Sequence, residues 1–69
     1  MGRYYGRVRG KIKQVFGSME AFADAWGKSL SLVSKKLNGK IKLTSDDMEE
    51  WCQLLGIQIE QVHEYFFAD

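Results

Sequence analysis

The chain has 69 residues, with ten Lys and Arg, nine Asp and Glu and one His, for a net charge of +1. This length suits one domain with a single core, which a hydrophobic content of 45% can fill. A single cysteine excludes an intrachain disulfide and a Cys-based metal cage, and we expect a cytoplasmic protein with no membrane span, signal peptide or cofactor.

The charges are segregated along the chain. Residues 1–42 contain ten basic and two acidic side chains, a net charge of +8. Residues 43–69 contain seven acidic side chains and no Lys or Arg, a net charge of −7. This division predicts one basic surface for a polyanion and an acidic surface facing away from it. The alternative is a solvated surface that is charged this way by chance.

The first predicted elements are a flexible basic arm over residues 1–5 and a helix from Gly6 or Arg7 to Phe16. The arm's Arg3 either contacts a phosphate or a minor groove, or belongs to a frayed terminus. The helix is indicated by an apolar stripe at i, i+4, i+7 and i+8, which consists of Val8, Ile12, Val15 and Phe16. Residues 6–69 are therefore expected to form the single domain.

The segment from Ser18 to Lys40 predicts two short helices joined by a tight turn. Ser18 and Ser29 are candidate N-caps, because a serine oxygen accepts hydrogen bonds from unpaired N–H groups at a helix start. Gly27 and Gly39 are candidate stops, because glycine adopts a left-handed conformation readily. The apolar residues at helical spacing are Phe22, Ala23 and Trp26 in one helix and Val33 and Leu37 in the other.

This segment resembles the helix-turn-helix of phage repressors and Cro-type regulators, the XRE-like group. The matching residues are Phe22–Ala23, Gly27, Ser29, Val33–Ser34 and Leu37–Asn38–Gly39–Lys40. The run from Arg9 to Phe67 also looks like small phage-encoded DNA-binding proteins. Two residues depart from the pattern: Lys28 replaces a small apolar residue, and Met19 stands where several phage repressors carry a phosphate-bonding Gln. The resemblance implies an all-α, compact five-helix bundle of the lambda-repressor-like type, with the helix-turn-helix at helices 2 and 3.

A loop and a fourth helix follow. In the loop, Ile41 and Leu43 are expected to pack on the core, with Lys40 and Lys42 outside. The helix begins at Thr44 or Ser45, since Thr44 and Asp47 have the spacing of a capping box. Its apolar stripe comprises Met48, Trp51, Cys52 and Leu55, and Gly56 ends it.

A fifth helix is predicted from Gln58 or Ile59 to Phe67. Ile59, Val62 and Phe66 form its expected core stripe. One face of this helix cannot bury Tyr65 and Phe67 in addition to the core stripe. These two side chains therefore either form a partner surface or pack on the first helix.

Catalysis and metal binding are not expected, because the reactive side chains are isolated. His63 is the only histidine and has no second residue at catalytic or metal-ligand spacing. We expect it to be a half-buried structural residue. Cys52 lies within an apolar stripe, where a thiol behaves as a small inert hydrophobe.

The outward face of the second helix in the Ser18–Lys40 segment is the candidate DNA-reading surface. At about 100° per residue, Val33 and Leu37 point inward. The candidate base-reading residues on and beside the opposite face are Ser31, Lys35, Leu32 and Ser34, followed by Leu30, whose angle also permits core packing. The candidate phosphate-binding residues are Ser18, Lys28, Ser29, Lys36, Asn38, Lys40 and Lys42.

Two classes of function fit these observations. The first is a sequence-specific transcriptional regulator, a phage or prophage repressor or Cro-like protein. By the resemblance, it would bind a double-stranded DNA operator as a homodimer on two half-sites. The second is a helix-turn-helix-fold protein-interaction module, anti-repressor or antitoxin-like, without DNA binding of its own. The charge segregation favours DNA binding over the interaction module.

Overall fold

Helices supply all the regular structure of the protein within residues 5–67, the part that its computed structural model describes. Five α-helices and one short 3-10 turn are present there, with no strand. They are α1 (Gly6–Phe16), α2 (Met19–Trp26), α3 (Leu30–Leu37), α4 (Ser45–Leu55), the 3-10 turn (Ile59–Gln61) and α5 (Val62–Phe66). The Cα radius of gyration is 10.8 Å, close to the roughly 11 Å of a folded chain of this length. The predicted all-helical compact domain is confirmed.

Residues 1–4 and 68–69 lie outside the described part, and with them most of the predicted basic arm, including Arg3. Tyr5 is described and belongs to the folded domain. It is half-buried, and its ring packs edge-on against Phe66 with centroids 6.3 Å apart.

The starts of α2, α3 and α4 follow the predicted capping chemistry. Ser18 Oγ accepts a hydrogen bond from Ala21 N, and Ser29 Oγ accepts one from Leu32 N, each at 3.1 Å. At the start of α4, Thr44 Oγ1 accepts from Asp47 N while Asp47 Oδ2 accepts from Thr44 N, each at 3.1 Å. These bonds satisfy N–H groups that have no partner within the helix.

The core lies where α1, α2, α4 and α5 meet, and α3 packs on α2. Aromatic rings form its centre: Phe16, Phe22, Trp51 and Trp26 contact one another in sequence, edge to face, at 5.5, 5.0 and 5.3 Å between centroids. Phe22 and Trp51 are fully buried, whereas Phe16 and Trp26 are partly exposed. Aliphatic side chains fill the space around them, namely Val8, Ile12, Val33, Leu37, Leu43, Leu55 and Ile57.

Three apolar residues predicted to be buried are exposed. Val15 is 47% exposed, because the other edge of the α1 stripe, Phe16, packs on Phe22. Ile59 is 66% exposed, since the chain enters α5 through a 3-10 turn and Ile57 occupies the core instead. Ile41 is 38% exposed, and only Leu43 of the predicted loop pair is buried.

None of the helices within residues 5–67 is long and apolar enough to cross a membrane.

Candidate nucleic-acid interface

The α3 helix presents the predicted polar face to solvent. Val33 and Leu37 are fully buried, which confirms the predicted inward register. Ser31, Ser34 and Lys35 are exposed and Leu32 is half-buried. Leu30 is 41% exposed, so the first residue of α3 remains accessible.

Exposed lysines precede and follow α3 in the chain. Lys28 precedes α3, with its Nζ 5.9 Å from the centroid of the Trp26 ring. At the other end, Lys40 N and Ile41 N both donate to Lys35 O, at 2.9 and 3.2 Å, which folds the loop back onto the end of α3. Lys40 and Lys42 are exposed there. The salt bridges within residues 5–67 are Arg7–Glu64 and Lys36–Asp47, so Lys35, Lys40 and Lys42 have no acidic partner in that range.

Lys36 must be removed from the predicted phosphate contacts. Its side chain is 9% exposed, and its Nζ lies 2.5 Å from Asp47 Oδ2 and 3.1 Å from Lys42 O. It lies three residues after Val33, on the inward side of α3, beside the start of α4. Its charge is therefore neutralised inside the protein, where a DNA phosphate has no access to it.

The carboxylate of Asp47 is held in its ionised form by this arrangement. Partial burial raises the pKa of Asp47, but the hydrogen bonds from Lys36 and Thr44 together outweigh burial and lower it below the ordinary value of 3.8. The Asp47 carboxylate is thus ionised at neutral pH.

An arginine from α1 contacts the end of α3, a contact that no local pattern in the sequence predicts. Arg9 Nη2 donates to Leu37 O at 3.2 Å and to Asn38 Oδ1 at 2.8 Å, and Asn38 Nδ2 donates to Ser34 Oγ at 3.3 Å. A cation suits the negative end of a helix. The periodicity of α1 alone does not say which of its basic residues reaches that end. Ser34 and Asn38 stay exposed although they take part in this network.

The remaining predicted phosphate contacts are the two capping serines. Ser18 and Ser29 are exposed, and each Oγ accepts a backbone N–H of its own helix. Each hydroxyl keeps its proton as a donor, so capping leaves it able to bond a phosphate oxygen.

Within residues 5–67, no group of three or more His, Cys, Asp and Glu side chains could hold a metal ion. Cys52 is buried, and burial raises the pKa of its thiol, which leaves it a neutral core residue. His63 is exposed, not half-buried as predicted, and its ring is 5.8 Å from that of Phe67. The surface of α3 and the loop after it can offer hydroxyl donors and ammonium groups to a polyanion.

Comparison with known proteins identifies a family. The family model described as "Protein of unknown function (DUF739)" matches residues 1–69. A search of curated proteins finds no match to the chain. Because the family model covers the whole sequence, the chain belongs to the DUF739 family.

Proposed function

We propose that this protein is a sequence-specific, double-stranded DNA-binding transcriptional regulator in which α2 and α3 form a helix-turn-helix. The exposed face of α3, with Lys35 at its centre and lysines at both ends, is the observation that carries this proposal. Only three residues separate α2 from α3, and Gly27 turns the chain there with a φ of 80°. A short glycine-containing turn between packed helices is typical of this motif.

In this proposal, α3 enters the major groove. An α-helix fits that groove, and residues near its N-terminus reach base edges. Ser31 can hydrogen-bond to several bases, Lys35 can donate to guanine O6 or N7, and Leu32 can contact a thymine methyl group. Two serines, one lysine and one leucine give few base contacts, so sequence-dependent DNA shape contributes to the specificity.

Phosphate contacts supply most of the affinity. Lys28 precedes α3, Lys40 and Lys42 follow it, and all three are exposed. Ser18 and Ser29 each lie at the positive end of a helix. The protein binds its operator as a homodimer, with one α3 helix in each half-site.

Two lysine substitutions separate base reading from backbone binding. Lys35→Ala is expected to weaken binding to the operator by about 1–3 kcal/mol and to relax the preference at one base pair. Lys40→Ala is expected to weaken operator and random duplexes equally and to reduce the slope of log K against log salt by about one. Both variants are compared with the parent by fluorescence anisotropy, on both duplexes and at several salt concentrations. The operator is first selected from DNA upstream of the protein's own gene.

Arg7→Gln is the matched control, because it removes one positive charge from the side where α1 meets α5. Arg7 is exposed and paired with Glu64 at 3.0 Å, so a small and uniform loss is expected. Equal losses on both duplexes for Lys35→Ala would make Lys35 a phosphate contact and contradict the assigned reading face. No duplex binding by the parent at low salt would favour the protein-interaction module.

A further inference from the structure

We infer that Lys36 and Asp47 form a positioning pair, which fixes the loop of residues 39–43 so that Lys40 and Lys42 are held beside the reading face of α3. Its consequence for DNA rests on the proposed function. Neither member of the pair touches DNA in this scheme. Their role is to position Lys40 and Lys42, which contact the DNA phosphates.

The pair connects three segments of the chain through one buried ammonium group. Lys36 Nζ on α3 binds Asp47 Oδ2 on α4 and also donates to Lys42 O in the loop. The same carboxylate oxygen accepts the Thr44 N–H, at the junction of loop and helix. The side chains of Lys36 and Asp47 are 9% and 15% exposed, so water competes little for these bonds.

Few other contacts hold the loop in place. Lys35 O accepts the N–H groups of Lys40 and Ile41, which fixes the first part of the loop. Leu43 is buried at its far end, but Ile41 is 38% exposed and adds little packing. The bond from Lys36 to the carbonyl of Lys42 anchors the second part of the loop, just before Leu43.

The hydrogen bond from Lys36 to the Lys42 carbonyl distinguishes this ion pair from an apolar contact that only adds stability. An apolar pair of similar volume often stabilises a protein as well as a buried ion pair does, because charge burial carries a desolvation penalty. An apolar side chain cannot donate to the Lys42 carbonyl, however. What the pair adds is the geometry of the loop.

The test replaces both members, as Lys36→Met with Asp47→Asn. This double variant keeps the net charge, retains an acceptor for the Thr44 N–H and leaves no buried unpaired charge. Amide hydrogen exchange at Lys40 and Ile41 is expected to rise about tenfold or more over the parent. The Gly27 and Lys28 amides, which bond to Ala23 O in the α2–α3 turn, are the internal control and should not change.

DNA binding gives a second readout that a loss of overall stability would not alter. In the parent, Lys42→Ala should reduce the salt slope by about one. In the double-variant background the same substitution should have much less effect, because the Lys42 carbonyl has lost its bond to Lys36 and Lys42 is no longer held at the phosphate. An unchanged effect of Lys42→Ala, together with unchanged exchange in the loop, would overturn the inference.

Two further outcomes are distinguishable. If the parent does not bind duplex DNA at low salt, the proposed function fails, and hydrogen exchange alone decides whether the pair fixes the loop. If the double variant does not fold, Asp47→Asn alone decides. This change keeps an acceptor for Lys36 and Thr44, so it should raise loop exchange less than tenfold but measurably. No increase would contradict the positioning role.

Discussion

Trp51→Ala is expected to lower the free energy of unfolding by about 3–5 kcal/mol, the usual loss for truncating a large aromatic residue in a core. Trp51 is fully buried and contacts Phe22 and Trp26 edge to face. A domain of this size has a total stability of only about 3–10 kcal/mol. The midpoint of urea denaturation, followed by circular dichroism, should therefore lie far below that of the parent.

Two control variants sharpen this result. Trp26→Ala should cost less, because Trp26 is partly exposed and its Nε1 donates to the exposed Glu50 carboxylate at 2.7 Å. Trp51→Phe should also cost less, since it keeps a ring in place and removes a buried N–H that has no acceptor within residues 5–67. A Trp51→Ala variant that melts within a few degrees of the parent would contradict the packing described above.

Lys36→Met alone is expected to cost about 3 kcal/mol of unfolding free energy at pH 7, the lower end of the range for breaking a buried ion pair. It leaves the Asp47 carboxylate, 15% exposed, without its counter-charge. Lys35→Met is the matched control. It removes the same charge from the next residue, which is exposed, and should change stability by less than about 0.5 kcal/mol. Equal effects of the two substitutions would show that Lys36 is not engaged as described.

The unfolding free energies of the parent and of the Lys36→Met variant should depend differently on pH. Asp47 has a lowered pKa in the folded parent, so its stabilisation is complete above its unfolded pKa near 3.8 and is lost as the pH falls through the lowered value. Without Lys36, the ammonium group no longer lowers the pKa of this carboxyl, so ionisation of Asp47 should stabilise the folded variant less than the parent. The stability difference between parent and Lys36→Met should therefore be largest near pH 7 and shrink below about pH 4. Urea titrations of both proteins at pH 7, 5 and 3 measure this difference in unfolding free energy.

The helices were predictable because short-range chemistry defines them. Ser18, Ser29 and Thr44 cap helices as expected, and apolar spacing identified the buried apolar residues of α2, α3 and α4. Periodicity failed at the edges of the apolar stripes. Val15 and Phe16 lie on opposite edges of the α1 stripe, and only the packing of Phe22 determines which of them turns inward. Likewise, the 3-10 entry into α5 moved Ile59 out of the core.

For the candidate site, the sequence predicted which face of α3 points inward, but not the contacts of Lys36 and Arg9 with other helices. Val33 and Leu37 fixed the inward face of α3, so the exposure of Ser31 and Lys35 followed. Lys36 appeared as one more surface lysine, because its partner is 11 residues away on another helix. Arg9 was missed for the same reason, since its partner Asn38 is 29 residues away. Contacts between helices depend on tertiary packing, which local patterns do not encode.

The most direct test of the central proposal is the salt dependence of duplex binding by the full chain. A labelled duplex from upstream of the gene and a random duplex of equal length are titrated by fluorescence anisotropy from 50 to 200 mM salt. With about four to six phosphates contacted per subunit, log K per subunit should fall with log salt at a slope of about −4 to −5. That slope corresponds to a loss of about 250- to 1,000-fold over this range, with tighter binding to the upstream duplex throughout. A flat salt response, or no duplex binding at the lowest salt, would contradict DNA binding through the basic face of α3.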